Sequence, residues 1–240
     1  MIMGKGRYGG RRAAAFIFDL DGTLVDSGRD IAISANFVRL RFGLPELSAE
    51  TIRSYVGDGL AKLLTRALGH DVRSGLTGEA GLPVSPEQHA EATRVFAEHY
   101  RRHMLDNTRL YPGVLEMLSR FRGVPLFVAT NKPQVYSEEI LKGLHVAGAF
   151  QRVVGGDTPR ARKPDPAHLE ATLQGYSFEP ASVVMVGDSP NDVNAGRAFG
   201  AMTVGCTFGL VPPATIKAAQ PDFLIDRFDQ LADLFPSRSS

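Results

Sequence analysis

A short apolar run ending on two carboxylates constrains this chain more than any other stretch. Ala13 to Phe18 (AAAFIF) carries no charge, and DLDGTLVDS follows at residues 19–27. Six uncharged residues with aromatic and β-branched members read as a strand buried on both faces, as in a parallel sheet. In an open α/β sheet, ligands bind outside the carboxyl ends of the strands. Asp19 and Asp21 stand at that end. Residues two apart on an extended segment point the same way, so the two carboxylates can share one site. Like charges that close need a cation or a shared proton. Gly22 lets the chain turn sharply away. The plain alternative is an acidic turn, since Asp-Gly is a common turn pair.

After Ser27 the period changes. Ile31, Ala35, Val38 and Phe42 fall at helical spacing, with Asp30 expected as N-cap and Gly43 as the stop. A second short helix is expected after Ser48. Leu60, Leu63, Leu64, Ala67 and Leu68 then form one apolar stripe closed by Gly69, and residues 70–84 read as a loop. Ser85-Pro86-Glu87-Gln88 is a capping-box start for a helix running through Phe96 and Tyr100 to about His103. Residues 28–105 therefore read as all helical.

Beyond them the chain alternates. Strands are expected at 125–130 (PLFVAT), 152–156 (RVVGG), 182–188 (SVVMVGD), 202–206 (MTVGC) and 222–225 (DFLI), with helix patterns between them. Strands separated by helices mean βαβ crossovers and a parallel sheet. The expected fold class is α/β: a doubly wound parallel sheet built from 13–27 and 106–236, interrupted after its first strand by an inserted helical domain at 28–105. The connections near Ser27 and at Asn107–Tyr111 are hinge candidates.

Composition excludes some classes. The 240 residues are 43% hydrophobic with a net charge of +1, which suggests no nucleic-acid partner. A single cysteine, Cys206, permits no intrachain disulfide and fits a reducing cytoplasm. No stretch approaches the ~20 apolar residues of a membrane span. Residues 1–12 hold Lys5, Arg7, Arg11 and Arg12 among four glycines and read as a flexible basic tail. The apolar run after them is too short for a signal peptide.

Three more strand ends carry polar residues: Thr130-Asn131-Lys132, Arg162-Lys163-Pro164-Asp165-Pro166, and Gly187-Asp188-Ser189-Pro190-Asn191-Asp192. Taken singly, each has a structural explanation. Thr130 could cap a helix, Lys163 could be a solvated charge, and Asp188 or Asp192 could cap the helix that runs to Phe199. Taken together, the order DxDGT, strand-terminal Thr, Lys and GDSxxD resembles the four motifs of the haloacid dehalogenase-like superfamily of aspartate-dependent phosphohydrolases.

That resemblance implies a Rossmann-like core and a phosphate ester as substrate. Asp19 would be the nucleophile. Asp21 would protonate the leaving alkoxide and then activate water against the aspartyl-phosphate. Mg²⁺ would be held by Asp19, the backbone carbonyl of Asp21 and Asp188, with Asp192 behind them or acting through water. Thr130, Asn131 and Lys163 would bind the phosphate. Such an arrangement suits the chemistry, because phosphate ester hydrolysis is very slow uncatalysed and covalent catalysis divides it into two easier steps. The inserted helices resemble a cap domain.

Several runs resemble the bacterial phosphoglycolate phosphatase subfamily in particular: DGTLVDS, YVGDGLAKLLTRALG, TNKP, VVGGD and GDSPNDVNAGRAFGA. The implied partner is a small phosphorylated metabolite, 2-phosphoglycolate, acted on by a cytoplasmic monomer or homodimer. Its carboxylate needs a cation, and Arg53, Lys62 and Arg66 are candidates, with Gly57, Asp58 and Gly59 as a backbone anion nest. Arg162 and Asp58 depart from the subfamily's usual residues, as does the long loop at 70–84. Another small-ester phosphatase, a pyrophosphatase, a phosphonate hydrolase and a β-phosphoglucomutase are the alternatives. A phosphoacceptor signalling module is the alternative from a different class.

Overall fold

The computed structural model describes residues 12–71, 83–158 and 161–236. All of the expected tail but Arg12, and most of the loop at 70–84, lie outside the described residues. The chain divides into two compact units, Met1–Asp26 with Leu110–Ser240, and Ser27–Arg109.

The first unit is built on a six-stranded parallel sheet in the order β5-β4-β1-β6-β7-β8. Its strands are β1 (Ala15–Phe18), β4 (Leu126–Ala129), β5 (Arg152–Val154), β6 (Val183–Gly187), β7 (Met202–Cys206) and β8 (Phe223–Ile225). Between them run α5 (Val114–Arg120), α6 (Gln134–Gly143), α7 (Ala167–Thr172), α8 (Pro190–Phe199) and α9 (Pro213–Ala218), with α10 (Leu231–Leu234) closing the chain. Two very short strands, β2 (Val25–Asp26) and β3 (Arg109–Leu110), pair as a separate ribbon. The expected strands all appear, β7 with its expected bounds and the others shorter than expected.

The central position of β1 follows from its composition. All four of its residues are fully buried, as a strand covered on both faces requires. Phe16 and Phe18 share one face, their rings 5.7 Å apart. Phe16 packs on Phe121 and Phe235, and Phe18 on Phe228. Ala15 and Ile17 face the other way, into a cluster with Phe127, Ala129, Met185, Leu169 and Ala195. Each aromatic ring buried here contributes roughly 1.5–3 kcal/mol. The register sets Phe18 beside Val128 of β4 and Val186 of β6, so the carboxyl ends of three neighbouring strands are level.

The second unit is helical: α1 (Gly28–Arg41), α2 (Ala49–Arg53), α3 (Leu60–Gly69) and α4 (Pro86–His103). Its core holds Ile31, Ala35 and Val38 of α1, Ile52 of α2, Leu63, Leu64, Ala67 and Leu68 of α3, and Val95, Phe96 and Tyr100 of α4. The Ser85–Gln88 capping box forms as expected. Arg39 is wholly buried and donates to the carbonyl oxygens of Pro45 and Ala67, neutralising the negative end of α3.

Asp30 is not the N-cap of α1; that position belongs to Ser27, and the helix begins at Gly28. The Asp30 carboxylate instead accepts from the backbone N–H and amide of Asn107 and from the N–H and hydroxyl of Thr108, at 2.7–3.1 Å. A carboxylate in the first turn of a helix is favourably placed, and here it also closes the unit's last segment onto its first helix. Asp30→Ala would leave these donors buried without a partner. Its expected cost is about 3 kcal/mol of unfolding free energy, read from the urea midpoint. An unchanged midpoint would mean these bonds do not hold the turn.

Candidate active site

The residues that follow β1 form a tight turn. The N–H groups of Leu24 and Val25 both donate to Leu20 O at 3.0 Å, and Gly22 N–H donates to Val25 O at 2.9 Å. Gly22 has φ +83°, and a β-carbon there would fall on the Asp188 carboxylate. Glycine is required twice over, for the backbone and for the close approach. The same holds for space alone at Gly209, where a β-carbon would also meet the Asp188 side chain.

This packing assembles a buried ionic cluster at the carboxyl end of the sheet. Asp19, Asp188 and Asp192 each offer an oxygen, and these atoms lie within 4.8 Å of one another. Asp188 Oδ2 accepts from Leu210 N–H at 2.7 Å and from Val211 N–H at 3.3 Å. Asp192 Oδ2 accepts from the Ser189 N–H and hydroxyl at 3.0 and 2.6 Å, completing the cap of α8. Neither Asp188 nor Asp192 is the N-cap itself; Ser189 is. Thr130 likewise does not cap α6, whose N-cap is Pro133.

Lys163 is buried at 4% exposure, not a solvated charge. Its ammonium lies 2.5 Å from Asp192 Oδ1 and 2.8 Å from Asp19 Oδ1. The second contact is close in distance without being aligned as a hydrogen bond. The Asn131 side chain clamps the Lys163 backbone: Asn131 Nδ2 donates to Lys163 O at 2.9 Å, and Lys163 N–H donates to Asn131 Oδ1 at 3.0 Å. The Asn131 side-chain amide is thereby engaged with the lysine's main chain.

Lys132 received no role from the sequence. Its side chain is buried, and its ammonium donates to both oxygens of Asp21 at 3.1 and 3.0 Å. Its own N–H donates to Thr130 Oγ1 at 3.2 Å, so that hydroxyl keeps its hydrogen to donate elsewhere. The only signal available beforehand was a lysine in the same loop as Thr130.

Burial and crowding set the electrostatics. Desolvation, with Asp192 and Asp21 nearby, raises the Asp19 carboxyl to about 6 against the pull of Lys163. Asp188 is raised well above the usual carboxylate range by burial and by its acidic neighbours, although two backbone N–H groups oppose this. Burial alone would lower Lys163; Asp19 and Asp192 outweigh it and hold the ammonium above its ordinary value. His168 is held neutral, near 4, by burial first and Lys163 second. Burial raises the Cys206 thiol well above its ordinary value, as expected for a packing residue.

Among the described residues, four carboxylates (Asp19, Asp21, Asp188, Asp192) and two ammonium groups (Lys132, Lys163) are buried here. With all four carboxylates ionised, two negative charges are left over. A hard divalent cation with oxygen ligands matches both the donor set and the charge. The donors therefore fit a divalent metal, and pH provides a check. In metal-free protein, Asp19 binds its proton more tightly folded than unfolded, so its contribution to stability falls as pH rises from about 4 to about 6, by about 3 kcal/mol. Asp188, raised by burial as well, adds a loss of the same sign, and His168 acts oppositely over about pH 4 to 6.5. A cation that binds ionised Asp19 must displace the proton. The gain in Tm on adding Mg²⁺ is therefore expected to be small near pH 5 and several degrees near pH 7.5. A gain equal at both values would contradict metal binding at these carboxylates.

The candidate residues Arg53, Gly57, Asp58, Gly59 and Lys62 belong to the helical unit. Arg66 pairs with Asp58 at 2.5 Å and also donates to Tyr55 O. Lys62 is exposed.

A doubly wound sheet with this acidic cluster at its carboxyl edge defines a class. The chain belongs to the haloacid dehalogenase-like hydrolase family, whose sequence model matches residues 16–206. Within it, the chain is 37% identical over 230 residues to a phosphoglycolate phosphatase of Chromobacterium violaceum, covering 92% of this chain and 95% of that protein. It is 36% identical over 219 residues to the phosphoglycolate phosphatase of Haemophilus influenzae, covering 90% and 96%. The crystal structure of a predicted phosphoglycolate phosphatase from Haemophilus somnus matches with a TM-score of 0.85 at 29% identity, covering 94% and 99%. Among the described residues, no helix is long and apolar enough to cross a membrane.

Proposed function

We propose that this chain is a Mg²⁺-dependent phosphomonoester hydrolase that works through an aspartyl-phosphate on Asp19, with 2-phosphoglycolate as substrate. The observation that carries the reading is the buried cluster of Asp19, Asp188 and Asp192, with Lys163 against Asp19 and Asp192. The phosphoglycolate phosphatases that it resembles over nine-tenths of its length support the choice of substrate.

In the first half-reaction, a carboxylate oxygen of Asp19 attacks phosphorus. The ester P–O bond breaks, and Asp21 gives its proton to the departing alkoxide, releasing glycolate. In the second, water attacks the phosphorus of the acyl phosphate, Asp21 takes the water's proton, and phosphate leaves with Asp19 regenerated. Lys163, fixed by Asn131, meets the charge on the transferring group, and Thr130 donates its hydroxyl hydrogen to a phosphoryl oxygen. Asp19, Asp188 and the Asp21 backbone carbonyl would hold the metal, with Asp192 in support. Such a cation would supply positive charge opposite the phosphoryl oxygens, allowing an anionic nucleophile to approach an anionic ester.

The helical unit serves in this reading as the cap that selects the leaving group. Lys62 or Arg53 meets the substrate carboxylate. Replacing both Lys62 and Arg53 by Ala should erase selectivity for phosphoglycolate over a neutral phosphoester.

The deciding experiment is Mg²⁺-dependent phosphate release from 2-phosphoglycolate, p-nitrophenyl phosphate, pyrophosphate, glucose 1-phosphate and glucose 6-phosphate. A kcat/KM for phosphoglycolate at least ~100-fold above the rest, about 2.7 kcal/mol of discrimination, is expected. Activity centred on another ester would overturn the substrate and keep the chemistry.

A further inference from the structure

We infer that Lys132 is a positioning residue for proton transfer to the leaving group, acting by holding the Asp21 carboxylate in place. The inference rests on the proposed role of Asp21. The Asp21 carboxylate sits on a short side chain with several rotamers to choose among, and a partner on both of its oxygens restricts it to one of them. One ammonium spans both of its oxygens, at 3.1 and 3.0 Å, in a pair whose side chains are 6% and 10% exposed. A buried pair in that geometry is far more restrictive than a surface ion pair.

The post that holds Asp21 is itself fixed. Lys132 O accepts from Gly156 N–H at 2.8 Å, and Lys132 N–H donates to Thr130 Oγ1 at 3.2 Å. The loop at Gly155–Gly156 is in turn held by Gln134 and Arg162, which bond Gly155 N–H and Gly156 O at 2.5 Å each. Lys132 thus joins two functions. Its main chain orients the Thr130 hydroxyl, and its side chain orients Asp21 from a different strand, 111 residues away in sequence. Substituting the side chain removes only the second.

This separation gives the test. A misplaced proton donor matters when the leaving group needs a proton and hardly matters when it does not. Lys132→Met should therefore lower kcat/KM for phenyl phosphate at least about tenfold more than for p-nitrophenyl phosphate, whose leaving group departs readily as an anion. These esters are nearly the same size, so binding differences are small. Lys132→Gln keeps an N–H donor and should fall between Lys132→Met and wild type; it supplies the same comparison if the Met variant does not fold. Equal losses on both esters, or none, would mean that the pair is structural only, and the inference would fall while the hydrolase reading stood. A wild type inactive on both esters would overturn the reading and the inference together.

Discussion

Asp19→Asn is expected to lower kcat for every phosphoester by about 10⁴- to 10⁶-fold, while the protein folds as well as wild type or better. The amide keeps the shape of the carboxylate and loses the nucleophilic oxygen charge. It also removes a carboxylate whose ionised form is buried among other acidic groups at the end of β1. Asp19 costs stability when ionised, as its raised pKa of about 6 records, so its neutral replacement should raise Tm in metal-free protein at neutral pH. The Mg²⁺-induced rise in Tm should shrink or vanish at the same time. The pairing of lost activity with gained metal-free stability separates a functional carboxylate from a structural one. A variant that lost activity by unfolding would contradict the account, and phosphate release with thermal melts decides it.

Lys163→Met should damage both function and fold. Lys163 is the only cation within ion-pair distance of Asp19 and Asp192 among the described residues, at 2.8 and 2.5 Å. Removing one partner of a buried ionic group leaves the others uncompensated, at a cost of about 3–5 kcal/mol. The loss should be greatest at neutral pH and smaller near pH 5, where Asp19 takes up a proton. Mg²⁺ should recover part of the stability but not the rate. The expected fall in kcat is about 10²- to 10³-fold, as for the loss of one preorganised charge facing a developing anion. Asn131→Ala, which leaves the ammonium but frees its backbone, should give a milder version of the same kinetic defect. Urea midpoints at the two pH values, with steady-state kinetics, provide the comparison.

Sequence periodicity carried the sheet well because the four central strands, β4, β1, β6 and β7, are buried on both faces, and such strands appear as unbroken apolar runs. AAAFIF, PLFVAT and MTVGC needed no context. β2 and β3, two residues each, are too short to leave a period. The cap of α1 was misplaced because Asp30 makes its bonds with residues 77 and 78 positions away, which local pattern cannot see. The candidate cluster was legible where the four motifs follow one another in order, as with Asp19, Lys163 and Asp188, which the fold brings together. Lys132 is not one of those motif residues and escaped notice. A lysine after a strand is ordinary on a surface, and only the fold brings it to Asp21. The clamp between the Asn131 amide and the Lys163 backbone was not legible, since nothing in the sequence shows that the two match.

The central claim is that Asp19 is phosphorylated during turnover. The most direct measurement uses Asp21→Asn with p-nitrophenyl phosphate and Mg²⁺. This ester can phosphorylate the enzyme without a proton donor, while the missing base slows hydrolysis of the acyl phosphate. Rapid acid quench, digestion and mass spectrometry should then find one phosphoryl group on the peptide containing Asp19, lost on treatment with hydroxylamine and absent from the Asp19→Asn, Asp21→Asn double variant. Turnover of the ester by Asp21→Asn with no phosphoryl group on that peptide at any quench time, or with the group on another residue, would contradict the account.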